Sequence, residues 1–276
     1  MFVNRMQFLT VIAALSSASL PNSAAAQPIG TSVSQPPYAK MVDLARKAKL
    51  VIKAQVTSMS PLPQAHVTAP LHGMYYVEAK TQSLLYGDSG IGGSLRYLVE
   101  LPLDGSGRAA NLKGENVLLF AWRVPNQAED LKLVEPGAQQ IWTPEGEMQL
   151  RSILRGLVSA RSLRPVTRVR EIGYVAGNLA GQGRTQIFLD TQKGPATITV
   201  RHAPGAGTSW GVSFGEVAGG DPHPPAKDSL EWYSLACFLP PSPAQDAYVS
   251  RTFAAKQQAY QDYRMVLGDL GPCVRD

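Results

Sequence analysis

The chemistry this sequence offers most openly is that of the guanidinium group. Six arginines and no acidic residue lie between Met148 and Arg170. Arginine presents a rigid fork of donors that fits carboxylates and phosphates. The segment therefore predicts a binding site for an anionic partner, which we call the arginine strip: Arg151, Arg155, Arg161, Arg164, Arg168 and Arg170.

The charge balance shows how concentrated this feature is. The chain has 26 Lys and Arg against 21 Asp and Glu. Removing Arg5, which belongs to a predicted signal peptide, and the six strip arginines leaves 19 Lys and Arg against the same 21 acids. The positive excess of the predicted mature chain therefore lies in the strip.

The spacing of the strip allows two interpretations. Arg151 and Arg155 share a helix face at i, i+4, and Arg168 and Arg170 share a strand face. Charge runs are usually solvated faces that pair with acids elsewhere in the fold. The functional interpretation is a docking surface for an anionic envelope polymer, a lipid headgroup or an acidic protein. We do not expect nucleic acid as a partner, because the chain is predicted to leave the cytoplasm.

A serine nucleophile is the next chemistry to consider. The string Gly87-Asp88-Ser89-Gly90 is similar to the nucleophile motif of chymotrypsin-like proteases. That mechanism needs a histidine base and an orienting aspartate, which in that family precede the serine by a whole β-barrel. Here His66 and His72 lie only 23 and 17 residues before Ser89, and Ile91 replaces the family's next glycine. A glycine-rich turn explains the string, so we predict no catalytic residue.

Metal and cofactor motifs are not found. Two glycine-rich segments, 177–183 and 205–211, lack the spacing of a dinucleotide-binding loop and the lysine of a phosphate-binding loop. A site in which His66 or His72 meets Asp104 in three dimensions is left open. No metal-ligand spacing joins the four histidines, which are His66, His72, His202 and His223. We therefore predict no metal site and no cofactor.

The two cysteines favour a disulfide. Cys237 and Cys273 are 36 residues apart near the C-terminus. In an exported protein such a pair is normally oxidised, and two thiolates without a nearby histidine do not complete a zinc shell. We predict a Cys237–Cys273 bridge.

The N-terminus predicts export. Arg5 precedes an uncharged stretch, and Ala24-Ala25-Ala26 gives a small-residue cleavage site, so residues 1–26 fit a cleavable signal peptide. A membrane-spanning helix needs about 20 strongly apolar residues, and this stretch is shorter and contains Thr and Ser. We expect cleavage after Ala26, a flexible leader over residues 27–36, no transmembrane segment in the mature chain and a periplasmic or secreted location.

The elements that position these residues fall into two blocks. The first, residues 37–162, begins with a helix at Tyr38. Thr143-Pro144-Glu145 then supplies a hydroxyl N-cap and a proline for a helix that carries Arg151 and Arg155. Between these helices, period-two alternation and apolar runs predict strands at 50–56, 74–81, 95–101, 116–123, 131–134 and 139–142.

The second block, residues 163–276, predicts a small antiparallel sheet and two helices. Strand patterns occur at 169–175, 185–190, 196–202 and 210–217, with Gly194 in a hairpin turn. Capping-box patterns predict helix starts at Asp228 and Ser242. The predicted disulfide would join this helical pair.

The first block resembles a known fold. The predicted helix, the strand Ala48-Lys49-Leu50-Val51-Ile52-Lys53-Ala54-Gln55-Val56, the segment 76–87 and the segment 114–120 are similar to the netrin/TIMP-like OB-fold over residues 37–145. This resemblance implies a small β-barrel. It does not imply metalloprotease inhibition, because the N-terminal Cys-x-Cys of that family is absent. The second block resembles domains of exported bacterial proteins, which implies no activity.

The predicted fold class is therefore α+β: an OB-like barrel with flanking helices, then an antiparallel sheet with a disulfide-linked helical pair. The leading functional prediction is an exported binding module without catalysis. One alternative is a hydrolase whose site is dispersed over the chain. Another is an accessory subunit of an envelope complex that uses the aromatic residues of the last helix as its contact, although these residues also fit a stripe packed in the core: Tyr248, Phe253, Tyr260 and Tyr263.

Overall fold

The computed structural model describes Met1 and residues 36–63, 71–88, 90–159, 163–215 and 223–275. Apart from Met1, the predicted signal peptide lies outside these residues, and so does the predicted leader apart from residue 36. Ser34–Asp276 form one compact unit. Its elements are α1 (Tyr38–Lys47), β1 (Leu50–Pro61), β2 (His72–Tyr86), β3 (Ser94–Pro102), β4 (Asn116–Val124), β5 (Gln127–Leu133), β6 (Gln139–Ile141), α2 (Pro144–Val158), β7 (Val166–Ala176), β8 (Gly183–Thr191), β9 (Gly194–Ala203), β10 (Gly207–Phe214), α3 (Leu230–Ala236) and α4 (Phe253–Leu270).

The first six strands form a closed five-stranded barrel with one appended strand. The hydrogen-bonded order is β1-β2-β3-β5-β4, and β4 pairs with β1 to close the ring. The β3–β5 pairing is parallel and the other pairings are antiparallel. β1 forms hydrogen bonds with both β2 and β4, because three register shifts along its pairing with β2 let it bend around the barrel. The predicted OB-like barrel is confirmed.

Alternation along the strands explains the core of the barrel. On β2, Tyr75, Val77 and Ala79 are buried and alternate with more exposed residues. β4 is apolar from Val117 to Ala121 and buried throughout, since it pairs with three other strands. Thr143 caps α2 as predicted, because its hydroxyl accepts a hydrogen bond from the backbone N–H of Gly146.

The second sheet is antiparallel in the order β10-β9-β8-β7. Gly194 has a φ of 108° in the β8–β9 hairpin, which is the conformation the sequence required. The Cys237–Cys273 disulfide is present and joins the end of α3 to the residues after α4. The predicted fold class is therefore confirmed.

The two halves share a packed interface centred on Tyr233. Its hydroxyl donates a hydrogen bond to Asp43 of α1 and accepts one from Arg46 Nη1 at 3.2 Å. Trp232 makes an edge-to-face contact with Tyr38, with ring centroids 6.2 Å apart. The predicted boundary between residues 162 and 163 thus falls between two sheets that share one hydrophobic core.

The starts of the last two helices differ from the prediction. α3 is capped by Ser229 rather than Asp228. α4 begins at Phe253, where the Thr252 hydroxyl caps the backbone N–H of Ala255, and residues 245–247 form only one 3-10 turn. The residues between them pair with the edge of β7: the N–H of Val249 donates to the carbonyl of Ile172 at 3.1 Å. This tertiary pairing outweighs the local helix signal at Ser242.

None of the helices within the described residues has the length and apolar composition needed to cross a membrane.

Candidate functional site

The arginine strip begins on the exposed side of α2. Arg151 donates two hydrogen bonds to Glu147 Oε1, at 2.9 Å from Nε and 2.7 Å from Nη2. Glu147 lies four residues earlier, the favourable order for a helical ion pair. Arg155 extends back along the helix, and its Nε donates to the Arg151 carbonyl at 3.3 Å.

Glu147 is the most heavily engaged acid of this region. It accepts a hydrogen bond from Trp142 Nε1 at 2.5 Å and lies 3.5 Å from Lys53 Nζ. The hydrogen bond from Trp142 has the largest effect in holding the pKa of Glu147 below its ordinary value. Arg151, through its hydrogen bonds and charge, and Lys53, through its charge, lower the pKa further, whereas partial burial raises it. Glu147 is therefore a fixed negative charge at the start of the strip.

The strip continues past α2 toward β7. Arg161 lies outside the described residues. Arg164 is half-buried, and its backbone N–H donates to the Ser234 hydroxyl of α3 at 3.2 Å. Gly156 of α2 lies close to Leu230, on the same face of α3 as Ser234. Residues 156 and 164 therefore lie against the same face of α3.

The β7 end of the strip faces one acid. Arg168 lies 3.0 Å from Asp190 Oδ2 and is its cross-strand partner on β8. Arg170 lies 3.6 Å from Asp190 Oδ1, and its guanidinium is 5.7 Å from the ring centroid of Phe188. Of the five described strip arginines, three are thus ion-paired and together share two carboxylates, Glu147 and Asp190.

A second group of cations lies at the end of the barrel and was missed by the sequence reasoning. A half-open cavity of about 520 Å³ is lined by residues that include Lys49, Tyr86, Asp88, Trp122 and Arg123. These residues are far apart in the sequence and meet only because β1, β2 and β4 are neighbours in the barrel. The Gly87-Asp88 part of the protease-like string contributes to this wall, and Ser89 lies outside the described residues.

A histidine network lies between the second sheet and α4. Asp262 of α4 is buried and accepts hydrogen bonds from the Thr185 hydroxyl and, at 2.9 Å, from Gln258 Nε2. His202 Nε2 lies 2.9 Å from Asp262 Oδ2, and His202 Nδ1 lies 3.1 Å from the hydroxyl of the exposed Thr208. A hydroxyl, an imidazole and a carboxylate thus stand in series. No spacing pattern in the sequence indicates this network, because its members come from β9, β10 and α4.

Asp104 is the acid that the sequence analysis left open as a partner of His66 or His72. His66 lies outside the described residues. Asp104 accepts hydrogen bonds from Ser106 and Arg108 within its own loop, and these lower its pKa. Within the described part of the chain, no group of three or more His, Cys, Asp or Glu could hold a metal ion.

The aromatic residues assigned to the last helix divide between core and surface. Tyr263 is fully buried and Tyr248, which precedes α4, is nearly so, whereas Phe253 is 82% exposed and Tyr260 is half-exposed. A cavity of about 740 Å³ lies beside Tyr174 and the first turns of α4. Only part of the predicted aromatic stripe therefore packs in the core.

A scan against protein-family models found no match for this chain, and a search of the curated proteins also found none.

Proposed function

We propose that the protein is an exported binding module that docks an anionic envelope component on the arginine strip. The observation that carries the proposal is the excess of positive charge on the strip: of its five described guanidinium groups, three share two carboxylates and two have no ion pair with a described residue. Arg155 and Arg164 have no ion pair with another described residue. The Cys237–Cys273 disulfide supports export, since such bonds persist in oxidising compartments.

The geometry favours phosphate or carboxylate as the bound group. Each guanidinium can offer two parallel N–H donors to such an oxyanion. Gly156, which follows Arg155, and Arg164 lie against the same face of α3, so we expect one extended anion to reach both arginines. Arg151, Arg168 and Arg170 keep intramolecular partners and would add long-range attraction, which is screened over about 8 Å at physiological salt.

The test is a variant of the strip in which three arginines are replaced by the uncharged residue glutamine. We expect Arg155→Gln, Arg161→Gln and Arg164→Gln together to leave the melting temperature nearly unchanged, because Arg155 and Arg164 have no ion pair with a described residue to lose and surface substitutions usually change stability by less than about 0.5 kcal/mol. Binding to vesicles of equimolar phosphatidylglycerol and phosphatidylcholine, or to polyglutamate, should weaken. Comparing the two probes distinguishes a lipid headgroup from an acidic polymer.

The matched control removes the same charge elsewhere. Lys80, Lys113 and Lys227 are exposed and lie outside the strip, so their triple Gln variant should bind like the wild type. Binding should also decrease as salt rises. Equal loss in both triple variants would mean that only net charge matters, and unchanged binding in the strip variant would refute the proposal.

The histidine network favours a second candidate function, hydrolysis. In this mechanism the Thr208 hydroxyl attacks a carbonyl carbon while His202 accepts its proton, and Asp262 orients the imidazole. The proton then passes to the leaving group, and water hydrolyses the acyl-threonine. Asp262 is held by Thr185 and Gln258, as an orienting acid must be.

This candidate is tested by covalent labelling. A fluorophosphonate probe should modify Thr208 in the wild type and fail to modify Thr208→Val, a variant of nearly the same shape. His202→Gln should slow the labelling, because the base is lost. Absence of labelling at Thr208 in the folded wild type would eliminate the hydrolase candidate.

A further inference from the structure

The cavity at the end of the barrel has the size and lining of a small-ligand site. Its volume of about 520 Å³ falls in the range usual for such sites, about 300–1,000 Å³. It is open on one side and is bounded by the first residues of β1, the last residues of β2 and the last residues of β4. All three belong to the closed barrel, so the walls are held by backbone hydrogen bonds.

Two aromatic side chains give the cavity flat apolar surfaces. Tyr86 is 38% exposed at the end of β2. Trp122 is half-buried, and its Nε1 donates to the Lys47 carbonyl at 2.7 Å, which fixes the indole. An aromatic ring presented at a wet surface binds ligands that are apolar on one face and polar at the edge. A pyranose ring has this character.

The charged residues give the cavity a positive balance. Lys49 and Arg123 line it, and the Lys132 ammonium lies 5.8 Å from the ring centroid of Trp122. Among the described residues that line the cavity, Asp88 is the one acid. Lys49 is exposed and has no ion pair with another described residue, whereas Arg123 is held by a hydrogen bond from Nη2 to the Gly90 carbonyl at 3.0 Å.

These contacts fit one ligand chemistry. Lys49 and Arg123 would pair with a carboxylate, Asp88 would accept hydrogen bonds from hydroxyl groups, and Tyr86 and Trp122 would contact the ring face. We propose that this cavity binds a uronic-acid unit of an acidic polysaccharide. The inference does not depend on the arginine strip, because none of its lining residues belongs to the strip.

Close packing around Gly87 constrains the shape of the cavity wall. Gly87 has a φ of 144°, and a Cβ there would lie 2.6 Å from Leu50 Cδ2 and 3.3 Å from the Lys49 carbonyl. A side chain at this position would displace Leu50, another lining residue. The backbone therefore approaches the cavity where only glycine fits without rearrangement.

The direct test uses tetragalacturonate as the probe and its methyl ester as the neutral match. We expect saturable binding of the acid, with shifts in the NMR signals of the Trp122 indole N–H and the Lys49 backbone. The ester should bind about tenfold more weakly. Equal binding of acid and ester, no saturable binding, or shifts confined to residues away from the cavity would overturn the inference.

Variants separate the cavity from the strip. Lys49→Gln and Tyr86→Ala change exposed side chains and should each weaken binding of tetragalacturonate by about tenfold. Lys113→Gln, which removes an exposed charge in another loop, should not. The strip variant should keep the tetragalacturonate-induced shifts of the Trp122 and Lys49 signals, because these signals report the cavity alone. If it loses these shifts while Lys49→Gln keeps them, the cavity inference fails and the strip proposal stands.

Discussion

At the scale of single residues, Asp262 stands out because its carboxylate is buried and fully engaged. Thr185, Gln258 and His202 contact its two oxygens from three different elements. A buried carboxylate is tolerated only when such partners replace water. The network therefore fixes the position of α4 on the second sheet, whether or not Thr208 acts on a substrate.

This role predicts the consequence of removing the carboxylate. Asp262→Ala leaves the Thr185 hydroxyl and His202 without their acceptor, so the free energy of unfolding should fall by about 3 kcal/mol. Asp262→Asn keeps one acceptor oxygen and should lose less. Urea denaturation measures both. Asp269→Ala, which breaks the Trp210 Nε1 hydrogen bond at an exposed acid, is the control and should cost about 1 kcal/mol. A loss for Asp262→Ala no larger than that of the control would contradict this role.

At the scale of elements, the positions of the strands along the chain follow from patterns that are local and strong. Alternation on β2 and the apolar run of β4 place these strands, and the Thr143-Pro144 cap starts α2. The start of α4 could not be predicted in the same way. Ser242-Pro243 satisfies the local rules for a helix start, but the edge of β7 offers hydrogen bonds that only the folded chain reveals.

The same distinction applies to the candidate sites. The Arg151–Glu147 pair has i, i+4 spacing and could have been found, because Glu147 lies one residue outside the acid-free segment. The pairing of Asp190 with Arg168 and Arg170 depends on the register of β7 and β8. Lys49, Tyr86 and Trp122 come together only through barrel closure, which no short sequence window contains.

At the scale of the whole molecule, the barrel and the second sheet are joined through polar contacts as well as apolar ones. Asp43 of α1 accepts hydrogen bonds from Tyr233 through Oδ1 and from Arg275 through Oδ2, the latter at 2.7 Å. Arg275 follows Cys273, so the disulfide also positions this contact. The arginine strip crosses the same junction. Its geometry therefore depends on the two halves remaining packed together.

This junction predicts how the molecule unfolds. Tyr233 is fully buried, so Tyr233→Phe keeps its ring packing and removes only the hydroxyl between Asp43 and Arg46. The free energy of unfolding should fall by about 1–2 kcal/mol. Tyr86→Phe, at an exposed position, should change it little.

The tryptophans show whether this loss is shared by both halves. Trp122 and Trp142 lie in the barrel half, and Trp210 and Trp232 lie in the other. Fluorine NMR of 5-fluorotryptophan-labelled protein during urea denaturation follows all four together. If the halves unfold as one cooperative unit, the four signals should share a single transition that Tyr233→Phe moves to lower urea. The opposite result is a Tyr233→Phe variant in which the signals of Trp122 and Trp142 keep their urea midpoint while those of Trp210 and Trp232 shift. It would show two independently folding domains, divided near residue 162. In that case Arg151 and Arg155, in the barrel half, would move relative to Arg168 and Arg170, in the other half. An anion that bridges the two pairs would then hold the two domains together when it binds.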